Sequence, residues 1–507
     1  MTMQPLSSIF ETPVDALVEI APQCLVIGSG TSGVTAAIEL AQRGLRVAVI
    51  EAGPFVLSEH IGSTPFADQH EMVPRIHDLV RRRTVWTDSA HEADAKAGQL
   101  APNNNAWEAV GGRTLFWGGC TPRFIDSDFH DWPYDADHFR PWYERAEQLI
   151  SASGYNDGTG EVPHFIAETG PLVSRLAEAG ITATCPPLGI DTRAVRDGRM
   201  SRGFDSSVSR LLRCPAFGRR ADGAKLTLTA ECAAVDLLLD GATVRGVRVL
   251  DRRSGRHLDL HADEVILAGG AVQSTRLALA AGLDRIDPLV GRYVGDHLFV
   301  QAALKLPAPL HHKAVYLFIP PLPDRPYHVQ MQGMFSNKWY NPLDATMWLD
   351  GEAHGDTLLY YCFGASRATD EARVVLTGQP GDPLRGYAVI NDRTPEDLAT
   401  LEAMEDFVQH VGGALGAQVA RVERHHAGAA LHEFGGLRMG TDPSSSVTDP
   451  DGRFRRVANL VCVDSAIWPS QGSANSYLTI TATALRNAEK LAARLSATTP
   501  ELASQGA

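Results

Sequence analysis

Residues 21–53, APQCLVIGSGTSGVTAAIELAQRGLRVAVIEAG, read in succession as strand, glycine turn, helix and second strand. Cys24 to Ile27 is a short apolar run, and Gly28, Gly30 and Gly33 follow in G-x-G-x-x-G spacing. Val34 to Gln42 carries helix-forming residues that stop at Gly44, and Arg46 to Ile50 is a second apolar run that ends on Glu51. The first glycine allows the tight turn, the second lets backbone approach a pyrophosphate, and the third lets helix pack on strand. Phosphates would then meet the free N–H groups and positive dipole of the helix N-terminus. Glu51 follows Gly28 by 23 positions, close to the spacing of about 20 at which an acid takes a ribose hydroxyl pair. An acid there fits an unphosphorylated ribose, as in FAD or NAD, and opposes NADP. Glycines punctuate many turns, so the pattern gains weight only from its place between strand and helix and from the acid that closes it.

At 507 residues the chain exceeds what one core serves, and two domains are expected. A hydrophobic share of 44% with 21% charged residues describes an ordinary globular protein. The net charge of −14 and pI near 5.7 oppose a nucleic-acid or anionic-membrane partner. Met1 to Gln23 has no Lys or Arg and is interrupted by Glu11, Asp15 and Glu19, unlike a secretory signal. No stretch approaches the ~18 uninterrupted apolar residues of a membrane span. The seven cysteines are scattered and form no C-x-x-C pair. The chain is therefore expected to be cytoplasmic, with neither a disulfide framework nor a metal site.

Pro54 to Asn105 is polar and irregular, and the loops of 54–105 are expected to cover the site. Arg81, Arg82 and Arg83 within it read as a solvated helix face. Val110 to Gly119, VGGRTLFWGG, sets four glycines around two aromatics, which suits a backbone passing close to a flat ring. Asp131 to Ser153 reads as a surface helix whose buried side includes Phe139 and Tyr143. Lys225 to Leu250 reads as two strands joined at Asp240-Gly241. Glu264 to Ala271 is another buried strand running into glycines and a helix, so the nucleotide domain is expected to be discontinuous in sequence. From 300 to 420 the character changes. Alternating runs at 328–335, 357–363 and 373–377 predict an antiparallel sheet with one wet face. Thr394 is placed as an N-cap before Pro395.

The predicted fold is thus α/β with α+β: a Rossmann-like dinucleotide domain over 1–150, 200–299 and 421–507, and a second domain over 151–199 and 300–420. The second domain is expected to be built on a largely antiparallel sheet with helices on one side.

The densest chemistry lies between His425 and Leu495. It includes Leu431-His432-Glu433-Phe-Gly435-Gly436-Leu-Arg-Met-Gly440, Asp464, and Gly472-Ser-Ala-Asn475-Ser-Tyr-Leu-Thr479, followed by a long helix from Ile480. With the turn at Gly28–Gly33, Glu51, the Gly111–Gly119 stretch, Ala268-Gly269-Gly270-Ala271, and Gly291-Arg292 with Asp296-His297, these residues resemble the glucose–methanol–choline (GMC) family of FAD oxidoreductases nearly end to end. The resemblance implies FAD as cofactor. It places Gly28, Gly30, Thr31, Ser32, Gly33, Glu51, Gly111, Gly112, Arg113, Trp117, Gly118, Gly119, Cys232, Ala268, Gly269, Asp464, Asn475 and Thr479 at that cofactor. In the family a histidine faces the flavin and is followed some forty residues later by histidine or asparagine; His432 and Asn475, 43 residues apart, match. The histidine–asparagine version is most similar to pyranose oxidases and to bacterial oxidases that form 3-keto sugars. Fungal pyranose oxidases carry, before the tryptophan of the glycine stretch, a histidine bonded covalently to FAD. Phe116 stands there in this chain, so the FAD is expected to be non-covalent.

The residue chemistry agrees. Oxidising a secondary alcohol needs a base for the hydroxyl proton, which a neutral histidine supplies, and a donor to the same oxygen, which an amide supplies. The expectation is FAD-dependent oxidation of a pyranose or glycoside ring hydroxyl, at C3 in preference to C2, with oxygen or a quinone as acceptor. Alternatives are a dehydrogenase of another alcohol, such as a sterol, aldonate or polyol, or a flavoprotein subunit that passes electrons to a partner. His297 reads as a domain-boundary residue without chemistry.

Overall fold

The computed structural model describes residues 10–63, 81–83, 85–87, 105–152, 170–190, 204–218, 223–312, 315–333, 355–377 and 386–498. Its nucleotide half is a five-stranded parallel sheet in the spatial order Leu460–Cys462, Glu264–Leu267, Cys24–Ile27, Val47–Ile50, Leu226–Thr229. Every residue of the three central strands is apolar except Glu264, as strands covered on both faces require. The chain enters at the centre, so the crevice beyond the carboxyl ends of these strands is where a ligand of such a sheet binds. The helix Thr31–Gln42 is buried along almost its whole length, between the sheet and the long helix Tyr477–Thr498. The small residues Ala36, Ala37 and Ala484 permit that close approach, and Thr31 Oγ1 meets Thr481 Oγ1 at 2.8 Å. The helix Ala136–Leu149, capped by Asp135, completes this half, with Tyr143 Oη 2.9 Å from Thr479 Oγ1.

The other half is a five-stranded antiparallel sheet in the order Val315–Ile319, Tyr327–Gly333, Thr357–Gly364, Leu298–Lys305, Gln418–Arg424. The period of two splits it into two faces. Val329, Met331, Leu358, Tyr360, Cys362, Val300 and Leu304 pack beneath the helix Pro395–Leu415 and its buried stripe Leu401, Met404, Val408, Val411 and Leu415. That helix starts as expected, with Pro395 at its first position and a capping box between Thr394 and Asp397. His328, Gln330, Gln332, Tyr361 and Phe363 point the other way. The register sets Gln330 opposite Tyr361 and His328 opposite Phe363.

Several expectations are corrected. The face predicted to be wet is closed instead: His328, Gln330 and Gln332 are buried, because the nucleotide half sits against that face. The boundaries at 299/300 and 420/421 each fall inside a strand of the antiparallel sheet, Leu298–Lys305 and Gln418–Arg424. Arg373–Leu376 leaves that sheet and joins Tyr387–Ile390 and Val85–Thr87 in a small one. The arginine run is a strand, Arg81–Arg83, paired with Asn105–Trp107; pairing across a sheet overrides a helix reading made on charge alone. Lys225 to Leu250 makes three strands rather than two, Leu226–Thr229, Cys232–Asp240 and Thr243–Asp251, broken at Glu231 in the left-handed region (φ 54°). Most of the covering loops expected over 54–105 lie outside the described residues. Among the described residues no helix is long and apolar enough to cross a membrane, and no cluster of potential metal ligands is present. All seven thiols are free.

Candidate active site

One continuous cavity runs from the glycine turn of the parallel sheet to the inner face of the antiparallel sheet. At its nucleotide end Gly28 has φ 105°, and a Cβ there would lie 2.5 Å from the Ala268 carbonyl oxygen, so the turn and the neighbouring strand exclude any side chain. A Cβ on Gly30 would meet no atom within 4 Å and would enter the cavity. Gly30 also begins the helix Thr31–Gln42 with no side-chain cap, leaving its first N–H groups without a side-chain acceptor. Glu51 sits across the turn. Ser29 N–H and Oγ–H donate to its Oε2 at 3.0 and 2.7 Å, and Gly53 N–H donates to Oε1 at 3.0 Å. Burial raises its pKa against the pull of these donors. A helix N-terminus without a side-chain cap, a backbone left open to the cavity at Gly30 and a carboxylate with remaining lone pairs fit the pyrophosphate and ribose of FAD.

Of the residues predicted from sequence, all but Gly33, Gly111 and Thr479 line this cavity. Those three act behind the wall. A Cβ on Gly33 would fall 1.9 Å from the Gly28 carbonyl oxygen, so its task is helix-to-turn packing. Gly111 donates its N–H to Ser29 Oγ at 2.9 Å and packs against Val208. Thr479 is fully buried and bonded to Tyr143. Arg113 reaches the wall but is held by Glu433, with Nη2 at 2.7 Å from Oε1. Asp464 fastens the second glycine turn, accepting from Gly270 N–H at 2.8 Å and Ser274 Oγ–H at 2.6 Å. Cys120 lines the wall beside Tyr316, and burial pushes its thiol up to about 12, so it stays protonated.

His432 and Asn475 face the same cavity from two loops of the C-terminal segment. The loop of His432 is pinned by Asp296, whose carboxylate accepts the N–H groups of Ala430, Leu431 and His432 at 3.1, 3.2 and 2.8 Å. Burial and the neighbouring Glu433 push Asp296 up to about 7. Leu431 in this loop takes a left-handed conformation (φ 63°), and its carbonyl is tied by Arg113. His432 Nδ1 lies 3.0 Å from His297 Nδ1, and His297 Nε2 lies 2.7 Å from the Gly472 carbonyl oxygen. Burial, then the charge of Arg113, then His328 hold His432 down to about 3, so the imidazole is neutral. The ring thus lies well below the ordinary histidine value of 6.5. Asn475 precedes the helix Tyr477–Thr498, and its Oδ1 accepts from Gln330 Nε2 at 2.6 Å.

Reading the sequence missed His297, His328 and Gln330. His297 stands beside Asp296 in a pair already singled out, but nothing local shows that it meets His432, 135 positions away. His328 and Gln330 alternate with Val329 and Met331; that pattern announces a polar face and not what it confronts. His425 lies apart, stacked on Phe299 at 4.7 Å and bonded to Gln301.

Comparison with known proteins places this geometry. Residues 373–484 match the family model described as GMC oxidoreductase, and residues 23–110 match an FAD binding domain. Paromamine 6'-oxidase of Streptomyces fradiae is 27% identical, over 93% of this chain and 91% of the relative. C-glycoside 3-oxidase of Microbacterium trichothecenolyticum is 25% identical, over 93% of this chain and 95% of the relative. Among solved structures, formate oxidase of Aspergillus oryzae RIB40 shares the fold, with a TM-score of 0.68 and 15% identity over 95% of this chain and 99% of that one. Gly28, Gly30 and Glu51 lie within the segment matched by the FAD binding domain and His432 with Asn475 within the one matched by the GMC oxidoreductase model, and the chain is an FAD-dependent oxidoreductase of CH–OH groups whose C-terminal part is similar to the GMC oxidoreductases.

Proposed function

We propose that the protein oxidises a secondary ring hydroxyl of a neutral pyranose or glycoside to a keto sugar, at C3 in preference to C2. The observation that carries this reading is one imidazole and one carboxamide lining a cavity whose remaining substrate wall is Tyr316, Gln330, Gln332, Tyr361 and Phe363. Amides and hydroxyls that alternate with aromatic rings suit a polyhydroxylated ring, which offers donors and acceptors at its rim and C–H groups on its faces. Glu433, next in the chain to His432, is held bidentate by Arg113, so it presents no open carboxylate to an ammonium group. That favours a neutral sugar over an amine-bearing one. Likeness to a C-glycoside 3-oxidase over most of both chains supports C3.

The residues from Gly28 to Ser32, Glu51 and the Gly112–Gly119 stretch would hold FAD, with Phe116 leaving it non-covalent. Bound there, FAD supplies the acceptor for the hydride of the carbinol carbon. His432, neutral, accepts the hydroxyl proton at Nε2, to which no group among the described residues hydrogen-bonds. Asn475 donates from Nδ2 to the same oxygen and stabilises charge as it develops. The sheet face orients the ring and excludes water. Oxygen or a quinone then serves as electron acceptor.

Incubating the flavoprotein with glucose and with O- and C-glycosides, then locating the carbonyl by NMR, tests this. A 3-keto product is expected. Turnover of simple diols or sterols with no sugar oxidised would overturn the reading in favour of a dehydrogenase for another alcohol. Acid precipitation should release the flavin into the supernatant; yellow colour retained by the pellet would exclude non-covalent binding.

A further inference from the structure

The catalytic pair must present opposite polarity to the substrate: a lone pair from the imidazole and an N–H from the amide. Neither side chain fixes this alone, since imidazole has two neutral tautomers and a carboxamide can be turned over. The bonding around the site decides both.

A backbone carbonyl can only accept, so at 2.7 Å from the Gly472 oxygen the Nε2 of His297 carries the hydrogen. The ring of His297 is fully buried and neutral, with burial as the main cause and His432 the next. Its Nδ1 is therefore an acceptor. The 3.0 Å contact between the two Nδ1 atoms then requires His432 to donate from Nδ1. What is left on His432 is the bare Nε2.

The second line runs through the sheet. His328 is buried, and burial lowers its pKa to about 3, so its ring is neutral. Its Nε2 lies 2.9 Å from Gln330 Nε2, so the imidazole accepts and the amide donates. Tyr316 Oη, 2.7 Å from Gln330 Oε1, holds the other end of that amide. The second N–H of Gln330 Nε2 is thereby aimed at Asn475 Oδ1, at 2.6 Å. Asn475 must turn its Nδ2 to the cavity.

We propose that His297 and Gln330 are positioning residues: His297, anchored on the Gly472 carbonyl, selects the tautomer of His432, and Gln330, held between His328 and Tyr316, the orientation of the Asn475 amide. This rests on the reading of His432 and Asn475 as base and donor. It makes them a matched acceptor and donor whose polarity is set one shell away, on a strand start and a sheet face far from the C-terminal segment in sequence. Removing either support should lower the rate of flavin reduction by sugar about 10- to 100-fold, the range typical for the loss of such a supporting bond. KM for the sugar should change little for His297→Leu.

Double-mutant cycles separate positioning from a structural effect. His297→Leu is made alone and with His432→Ala, and Gln330→Met alone and with Asn475→Ala, all as flavin-loaded protein. The expected result is a loss in each single variant that disappears when its catalytic partner is already gone. Full multiplication of the two losses would overturn the proposal while leaving the catalytic assignments standing. Normal reduction in His432→Ala and Asn475→Ala would instead overturn those assignments. A second readout does not depend on turnover: long-range 1H–15N correlation on histidine-labelled holoenzyme should show His432 protonated at Nδ1, and His297→Leu should move it toward the Nε2–H form. An Nε2–H signal in the unaltered protein would refute the assignment. His297→Asn, whose Oδ1 can occupy the place of Nδ1, should restore part of the rate and keep the Nδ1–H tautomer. Should His297→Leu not fold, the Asn variant and the unaltered protein carry the NMR test.

Discussion

The two walls of the cavity are built in different ways. The nucleotide wall is local: Gly28, Ser29, Gly30 and Thr31 are consecutive, and Glu51, one strand away, is tied to them by Ser29. The substrate wall is assembled from Tyr316, Gln330, Tyr361, His432 and Asn475, which meet only through cross-strand register and the docking of two sheets. The first wall fits the cofactor, and the second bears the proposed substrate contacts.

That contrast can be broken at four points. The largest effect is expected for His432→Ala, which should slow flavin reduction by about a thousandfold, within the usual range for loss of a general base, while bound flavin is retained. Stopped-flow bleaching of the flavin band checks this, and reduction within tenfold of normal would remove His432 from the chemistry. Next is Gly30→Val. Since a Cβ there meets no protein atom within 4 Å, the apoprotein should melt as before yet bind FAD at least about a hundredfold more weakly, through steric exclusion from the cradle. Unchanged affinity by flavin fluorescence titration would place the pyrophosphate elsewhere. Gln332→Leu should act on the other wall alone, raising KM for sugar about three- to tenfold, the worth of one neutral hydrogen bond, with FAD affinity unaltered. A change in FAD affinity instead would show the walls to be coupled.

The last test concerns stability alone, at His60, fully buried behind the glycine stretch with Nε2 2.9 Å from the Trp117 carbonyl oxygen and its pKa held near 3 by burial. A depressed histidine is neutral in the folded chain and takes up a proton on unfolding, so its contribution is present above about pH 6.5 and is lost as pH falls below it. Relative to His60→Phe, the unaltered protein should lose about 1.4 kcal/mol of stability per pH unit below that point, down to about pH 3. Parallel stability curves from pH 7 to 5 would contradict this.

The same contrast explains what the sequence disclosed. The strands Cys24–Ile27, Val47–Ile50 and Glu264–Leu267 and the helix capped by Thr394 were legible because periodicity and capping are written within a few residues of one another. His432 and Asn475 were reachable through resemblance, and their loops do face one cavity. His297 was dismissed although it touches His432, and the depression of His432 toward 3 could not be foreseen, because burial is a property of the closed fold. Arg81–Arg83 was misread since charge says where a side chain is stable and not which strand its backbone will pair with. The two boundary errors share a cause: Leu298–Lys305 and Gln418–Arg424 pair with each other, a partnership no local window contains.

The parallel sheet has one further consequence, for the order in which the molecule is made. One of its edge strands, Leu460–Cys462, and the helix Tyr477–Thr498 that covers the helix Thr31–Gln42 come after Arg424, by which the antiparallel sheet is complete. During synthesis the later-encoded sheet can therefore close while the first-encoded one still waits for an edge. The base and its amide partner arrive with that closing segment, so a nascent chain gains its capacity for chemistry only when the scaffold around it is sealed.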